Sequence, residues 1–202
     1  MSSEAYAGAA SSGDQFSTEV PDFTAEQAHD FGAWGHKLAD GLESLPFPTI
    51  AAPVGPALGG GCELVLACDL AYAADTATLG QIEVMGGVMP GFGGTWRLPR
   101  RVGILRAYEM IFTAAVLPAE RAKEYGLVLD VLPAHQLLEH CRGVASQIAK
   151  TSRRAVAEAK RVMVASIGQP PERADELELA AFVGLFGPEQ QARMHAYLAQ
   201  QH

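Results

Sequence analysis

The chain has 202 residues, 49% of them hydrophobic, and a formal net charge of −8. A chain of this length and apolar content suits one globular domain that buries roughly 70% of its unfolded surface, which excludes an intrinsically disordered protein. The acidic balance argues against a nucleic-acid partner. The lack of a ~20-residue apolar run and of a signal-peptide pattern after Met1 predicts a soluble cytoplasmic protein with no membrane segment.

The N-terminal part of the chain changes character after residue 22. Residues 1–22 are rich in Ser, Gly and Ala and lack a sustained apolar period, so a loop or flexible tail is predicted. A helix is predicted from Ala25 to Leu45, because Thr24 and Gln27 fit a capping box and apolar residues recur at helical spacing. A short buried strand follows at 49–52, and the prolines after it limit its length.

A glycine corner comes next, at Gly59-Gly60-Gly61. Consecutive glycines expose backbone N–H groups that no side chain covers. The segment CELVLACDL after them is predicted to be a short apolar helix whose positive end faces the glycines, so the corner can hold an oxyanion. Glu63 lies in the first turn of this helix.

A second carboxylate follows two predicted strands. The strands are expected at 69–74 and 77–80, around a turn at Asp75-Thr76, and Glu83 comes shortly after them. The order strand, helix, strand predicts an α/β layer with a largely parallel sheet. Two carboxylates beside an anion-binding corner are suited to moving protons at a carbon next to a carbonyl group.

Beyond Thr95 the sequence is mostly helical. Helices are predicted at 104–113, 119–125, 133–150, 153–167, 172–186 and 188–200, with one strand at 127–131. The last two helices carry many apolar residues for a chain end. Either they pack across a subunit boundary or they fold back on the core of their own chain.

Metal and redox chemistry are not indicated. The 3 cysteines lack CxxC spacing and are predicted to be small buried residues, and the 6 histidines lack metal-ligand spacing and are predicted to lie on the surface. No metal site is therefore expected. One cluster of basic residues is a candidate patch for a phosphorylated ligand: Arg97, Arg100, Arg101 and Arg106.

The stretch from Ala51 to Gly103 resembles the enoyl-CoA hydratase (crotonase) superfamily. The glycine triplet, both glutamates, the element GQIE and the turn PGFGGT occur in one register, and the resemblance continues to about Leu132. It implies an α/β crotonase-like fold, with a ββα spiral core that is incomplete at the N-terminus and a C-terminal helical region. The corresponding regions are a tail or remnant turn at 1–22, the core at 23–132 and helices for trimerisation at 133–202.

The resemblance also implies an activity and its residues. The reaction is the reversible hydration of a trans-2-enoyl-CoA, with the coenzyme A thioester as substrate and no other cofactor. Glu63 and Glu83 are the implied acid/base pair, and the N–H of Gly60 is one oxyanion-hole donor. The segment 6–10 is either a shortened copy of the turn that supplies the second donor, at Ala7, or a tail with chance similarity. Gln81 is expected to orient the attacking water or the carboxylate of Glu63.

The remaining implied site residues lie around the second glycine cluster. Gly91 and its neighbours are expected to allow close backbone approach beside the acyl pocket, whose candidate walls are Val84, Met85, Val88, Met89 and Trp96. These five side chains could equally be core residues. Trp96 stands where many family members carry Gln, so the acyl-chain preference does not transfer.

Several alternatives stay open. The family forms trimers and dimers of trimers, so a homo-oligomer is expected. The second hypothesis is a shortened, catalytically weak subunit that assembles with a homologous or complementary chain. An isomerase, hydrolase or decarboxylase on the same scaffold is a third, since the superfamily keeps the oxyanion hole and varies the acids.

Overall fold

The computed structural model describes residues 22–199. The helices are α1 (Ala25–Glu43), α2 (Gly60–Ala67), α3 (Gly94–Val102), α4 (Ile104–Phe112), α5 (Ala119–Tyr125), α6 (Ala134–Ala149), α7 (Arg153–Ala165), α8 (Pro171–Leu185) and α9 (Pro188–Ala199). The strands are β1 (Ile50–Ala51), β2 (Pro56–Leu58), β3 (Leu70–Ala74), β4 (Thr78–Gly80), β5 (Val116–Pro118) and β6 (Asp130–Leu132). A short 3-10 helix spans Glu83–Gly86.

The strands form two small sheets. One has the order β1-β3-β6 with parallel pairing throughout, and the other has the order β2-β4-β5, in which β2 and β4 are parallel and β4 and β5 antiparallel. The predicted α/β class with largely parallel pairing is confirmed. The prediction that β3 and β4 flank a turn holds along the chain, but the two strands pair in different sheets.

This change of sheet positions the two glutamates. Because β4 pairs with β2 in the register Leu58↔Gly80, the end of β4 lies beside the start of α2. The N–H of Gly59 donates to the carbonyl of Gly80 at 2.9 Å and joins the two segments directly. The segment that carries Gln81 and Glu83 therefore leaves β4 next to the glycine corner.

Local signals explain how the helices before the site begin. The hydroxyl of Thr24 accepts from the N–H of Gln27, whose side chain accepts from the N–H of Thr24, so the predicted capping box begins α1. The helix α2 begins at Gly60, inside the glycine triplet and earlier than predicted. It ends at Ala67, because Cys68 takes an extended conformation (φ −82°, ψ 150°).

Three elements were not predicted, namely β2, β5 and α3. The strand β2 starts at Pro56, one of the prolines that are predicted to limit the strand at 49–52. Proline is tolerated at the first residue of a strand, where no ladder N–H is needed.

The last strand also differs from its prediction, which was 127–131. Leu127 and Val128 are buried in the core, and the N–H of Leu127 caps α5 by donating to Ala122, so the strand begins only at Asp130, after a first bond from the N–H of Leu129 to the carbonyl of Ala71 at 2.7 Å.

The chain divides into two compact units. In the described part of the chain, the first comprises residues 22–45 and 49–146, and it includes most of α6, which was grouped with the C-terminal helices. Its core lies between the sheets and α2 to α5. The large side chains that are fully buried there include Leu79, Leu98, Met110 and Leu127. Burying each contributes about 1.5–3 kcal/mol to stability.

The second unit comprises residues 46–48 and 147–199. Within it, the guanidinium of Arg154 donates to the carbonyl of Gly184 at 2.6 Å, and the hydroxyl of Ser152 donates to the carboxylate of Glu189 at 3.2 Å. Neither α8 nor α9 has a buried residue. On α8, the side chains of Leu177 and Leu185 are half-buried, whereas those of Leu179, Phe182 and Val183 are exposed.

Candidate active site

The glycine corner places the first helical N–H groups beside the second glutamate. Gly59 has a positive φ of 54°, and a Cβ on it would lie 3.3 Å from Oε1 of Glu83. Gly60 is the first residue of α2, a position whose N–H has no carbonyl four residues earlier in the helix. A Cβ on Gly60 would lie 2.9 Å from the ring of Phe92. A side chain at 60 would therefore displace Phe92, and one at 59 is disfavoured by the positive φ and would crowd Glu83.

Glu63 is buried and held in one orientation. It is 2% exposed, and its Oε1 accepts from the N–H groups of Phe92 and Gly94, both at 2.7 Å. Burial raises the pKa of Glu63, and the two backbone N–H donors oppose that rise because they favour the charged form. The carboxylate is thus fixed on the loop that carries the second glycine cluster.

Gln81 lies between Glu83, to which it bonds, and the backbone at Gly94. Its side chain is fully buried, and its hydrogen bonds assign the orientation of its amide: the nitrogen donates to Oε1 and Oε2 of Glu83 at 3.0 and 3.2 Å. Gln81 was predicted to orient the water or Glu63. In the structure its amide contacts Glu83.

Glu83 begins the 3-10 helix that follows β4. Burial and, less strongly, the charge of Glu63 raise the pKa of Glu83 to about 7. A carboxyl group with this pKa exchanges its proton near neutral pH, as a general acid or base requires.

The backbone at Gly94 lies beside both Glu63 and Gln81. A Cβ on Gly94 would lie 2.9 Å from Oε1 of Glu63 and 3.0 Å from the end of the Gln81 side chain. The same Gln81 amide donates to Glu83, so one residue separates the two acids. The structure therefore brings together the predicted residues Gly60, Glu63, Gln81 and Glu83.

The glycines of the second cluster, all predicted to allow close backbone approach, differ in how closely other atoms pack against them. Gly93 has a φ of 103°, and a Cβ on it would lie 2.1 Å from Nη1 of Arg97. A Cβ on Gly94 would also be too close to its surroundings, at 2.9 Å from Oε1 of Glu63. A Cβ on Gly91 would meet only the carbonyl oxygen of Met89, at 4.0 Å, so close approach within this chain explains two glycines and leaves Gly91 unexplained.

Of the four arginines in the predicted basic patch, Arg97 is removed from solvent and ion-paired, and two others use part of their guanidinium groups to bond to backbone carbonyls. Arg97 is buried and pairs with Asp40 and Glu43 of α1. Arg101 donates to the carbonyls of Leu66 and Cys68, at 3.2 and 2.8 Å. Arg106 donates likewise to the last two residues of α5. The fourth, Arg100, lies over the ring of Trp96.

The candidate walls of the acyl pocket lie at an open surface. Val84 and Trp96 are about one-third exposed, and Val88, Met89 and Met85 are more exposed, up to 81%. The reading of these five side chains as core residues is thus not supported. Ala7, the candidate second oxyanion donor, lies outside the described residues.

Two residues of the site, Phe92 and Gly35, had not been singled out, and a third, Arg97, had been assigned to the basic patch. Phe92 supplies an N–H to Glu63, Arg97 packs against the loop, and Gly35 of α1 faces the ring of Phe92. A backbone donor leaves no trace in the side-chain pattern. The signal that could have been read is Gly35, a glycine inside an otherwise well-formed helix.

Within residues 22–199, no group of three or more His, Cys, Asp and Glu side chains could hold a metal ion. The helices of that same range include none that is long and apolar enough to cross a membrane.

The family model described as Enoyl-CoA hydratase/isomerase matches residues 5–202. A crotonyl-CoA hydratase from Syntrophomonas wolfei is 39% identical over 180 residues, which cover 89% of this chain and 69% of that protein. A short-chain-enoyl-CoA hydratase from Clostridium acetobutylicum is 37% identical over 174 residues, which cover 86% of this chain and 67% of that protein.

The fold is shared with solved structures. The crystal structure of an enoyl-CoA hydratase from Bacillus anthracis matches with a TM-score of 0.86 and 37% identity, over 89% of this chain and 70% of that one. The chain spans between 52% and 69% of the length of the curated relatives compared. The resemblance seen in the sequence is confirmed: the fold is crotonase-like, and the chain belongs to the enoyl-CoA hydratase/isomerase family.

Proposed function

We propose that this chain catalyses the reversible syn hydration of a short-chain trans-2-enoyl-CoA to the 3-hydroxyacyl-CoA. The observation that carries the proposal is that the buried amide of Gln81 donates to Glu83 and lies with Glu63 beside Gly94, next to the first N–H of α2. The names of the relatives, a crotonyl-CoA hydratase and a short-chain-enoyl-CoA hydratase, support the substrate class.

The difficulty of the reaction lies in the charge that develops on the thioester oxygen. When water adds to Cβ, the electrons of the Cα=Cβ bond move toward the carbonyl and form an enolate. The N–H of Gly60 is the proposed donor to that oxygen, aided by the positive end of α2. A donor of this kind is worth roughly 3 kcal/mol of transition-state stabilisation. Ala7 is the proposed second donor.

The two acids divide the proton transfers. Glu63, as carboxylate, accepts a proton from the water whose oxygen bonds to Cβ, and Glu83, as carboxylic acid, gives its proton to Cα as the enolate collapses. The product gains one water, Glu63 ends protonated and Glu83 ionised, and exchange with solvent restores both. The assignment rests on Glu63 accepting two backbone N–H bonds, and on Glu83 having a pKa of about 7.

Two features of the surroundings belong to the same proposal. The exposed apolar side chains from Val84 to Met89, together with Trp96, are proposed to contact the acyl chain. The exposed apolar side chains of α8 and α9 are proposed to pack between copies of the chain in a homotrimer or a dimer of trimers.

The test is turnover of crotonyl-CoA, followed by loss of its enoyl absorbance. Glu63→Gln and Glu83→Gln keep the shape of each side chain and remove its acid/base function, so each should lower kcat by about 10²–10⁴-fold. Glu120→Gln, on the exposed surface of α5, is the matched control and should leave kcat unchanged. Full activity in either site variant would contradict the assigned roles.

The assembly hypothesis makes a different prediction in the same experiment. A chain that neither hydrates crotonyl-CoA nor binds it, yet co-purifies with a full-length relative, would favour the role of a non-catalytic subunit. Isomerisation, hydrolysis or decarboxylation of an acyl-CoA that depends on the same two glutamates would instead favour a different reaction on this scaffold.

A further inference from the structure

A buried arginine lies behind the loop that holds Glu63. The side chain of Arg97 on α3 is 3% exposed, although arginine is rarely buried without partners. Its Nη1 donates to the carbonyl of Phe92 at 2.9 Å, and a Cβ on Gly93 would lie 2.1 Å from the same nitrogen. The guanidinium therefore packs directly on the Phe92–Gly93 peptide.

Two carboxylates at the end of α1 hold the other side of this guanidinium. Nη2 of Arg97 donates to Asp40 at 2.5 Å and to Glu43 at 3.1 Å. Both acids lie near the C-terminus of α1, where the helix dipole disfavours negative charge, and the last turn of α1 has no basic residue to offset it. The pairing with Arg97 offsets the unfavourable interaction of Asp40 and Glu43 with the helix dipole.

We propose that Arg97 is a positioning residue for Glu63: it fixes the Phe92–Gly94 backbone whose N–H groups orient that carboxylate, and Asp40 and Glu43 fix Arg97. This inference rests on the proposed function, in which Glu63 accepts the proton of the water. Arg97 makes no hydrogen bond to Glu63 or Glu83, so it acts on Glu63 only through the Phe92–Gly94 loop. The set of acceptors, one carbonyl and two carboxylates, matches the planar fork of a guanidinium and not the single ammonium of lysine.

Two sets of variants test the proposal from opposite sides. Arg97→Lys keeps the positive charge and loses the fork. The double variant Asp40→Asn with Glu43→Gln keeps Arg97 and releases it, and it changes side chains at the rim of the cluster, so it remains informative if the first variant does not fold. Arg121→Lys, at an exposed arginine on α5, is the matched control.

The first readout is the titration of the Glu63 carboxyl carbon by NMR, assigned by its loss in Glu63→Gln. Weaker N–H donation should raise the midpoint of Glu63 in both sets of variants. In the double variant, removing two negative charges alone would lower that midpoint, so a rise cannot come from charge. The other charged or titratable groups around Glu63, namely Glu83, His36 and Cys62, are unchanged.

The second readout is kinetic. Misplacing Glu63 should lower kcat by about tenfold to 100-fold in the double variant, which leaves both Arg97 and the Trp96 ring it contacts unsubstituted. The NMR readout needs no turnover, so it still tests Arg97 if the protein proves not to hydrate enoyl-CoA. A midpoint for Glu63 that is unchanged or lower in the folded variants would overturn the positioning role, whatever the activity.

Discussion

Glu63 and Glu83 lie in one site but in different surroundings. Glu63 accepts two backbone N–H bonds that favour its charged form, whereas Glu83 accepts from the neutral amide of Gln81 and faces the charge of Glu63. Neighbouring carboxyl groups of this kind do not ionise together easily. The difference lets one act as a proton acceptor while the other still holds a proton, which a single pair of solvated glutamates could not do.

The raised pKa of Glu83 has a consequence for stability. A glutamate in the unfolded chain titrates near its ordinary value of 4.5, and Glu83 in the folded protein near 7. Between these values the folded state binds more protons than the unfolded state, so the contribution of Glu83 to stability is full below 4.5 and is lost as the pH rises through about 7.

Glu83→Gln, which has no carboxyl to ionise, should therefore show a smaller fall in unfolding free energy between about pH 5 and about pH 8 than the unchanged protein. Urea denaturation across this pH range measures it. Glu120→Gln, on the surface of α5, should show the same fall as the unchanged protein. If Glu83→Gln follows the unchanged protein as well, the carboxyl of Glu83 titrates alike in both states.

At the scale of single residues, the sequence located the acids better than their partners. Glu63, Glu83 and Gly60 could be named because they stand in motifs with fixed spacing. The donors to Glu63 could not, because they are backbone groups of Phe92 and Gly94 whose position depends on a contact between distant segments. Arg97 was misread for a related reason: a basic residue looks the same in sequence whether it faces solvent or a buried carbonyl.

At the scale of elements, α1 supports the site through an aromatic contact. The ring of Phe92 packs on Phe31 with centroids 5.0 Å apart, and Phe31 packs on Phe23 at 5.5 Å. Gly35 lies one turn along α1 from Phe31, and a Cβ on it would lie 1.9 Å from Cδ1 of Phe92. The helix can approach the loop only because this residue has no side chain.

Gly35→Ala should therefore push Phe92 away from α1 and disturb its N–H bond to Glu63. We expect a loss of about 1–3 kcal/mol in unfolding free energy and a lower kcat. Thermal or urea denaturation and crotonyl-CoA turnover measure the two effects.

Gly41→Ala is the matched control, because it lies on the same helix and has no atom within 4 Å of the position of a Cβ. It should stabilise the protein slightly, by up to ~1 kcal/mol, through helix propensity. Equal effects of the two substitutions would show that the contact between α1 and Phe92 does not affect stability or activity.

The elements that the sequence predicted well have strong local signals. The capping box of α1 and the prolines before α8 and α9 fixed those boundaries closely. The strands β2 and β5 have three residues each, too few to show a period, and they exist because β4 lies between them. The transfer of the chain from one sheet to the other was also invisible, since it depends on pairing and not on local pattern.

At the scale of the molecule, the C-terminal helices present apolar surface that residues 22–199 leave exposed. On α8 and its C-cap, Leu179, Phe182, Val183 and Phe186 recur at helical spacing and are each 57–64% exposed. A stripe of this kind is larger than the scattered apolar residues of an ordinary surface and is typical of an interface. The sequence predicted both the helix and the stripe, but it could not decide between a second copy and the core of the same chain.

We expect the purified chain to sediment with the mass of three or six copies. Lysine substitutions at Phe182 and Val183 place charges in the middle of the α8 stripe, and burying unpaired charges between subunits is unfavourable, so this variant should dissociate toward a single chain. Leu138→Lys, at an exposed leucine of α6, is the matched control and should keep the assembled mass. Sedimentation at several protein concentrations separates these outcomes. A single-chain mass for the unchanged protein, or an assembled mass for the α8 variant, would place the interface elsewhere or remove it.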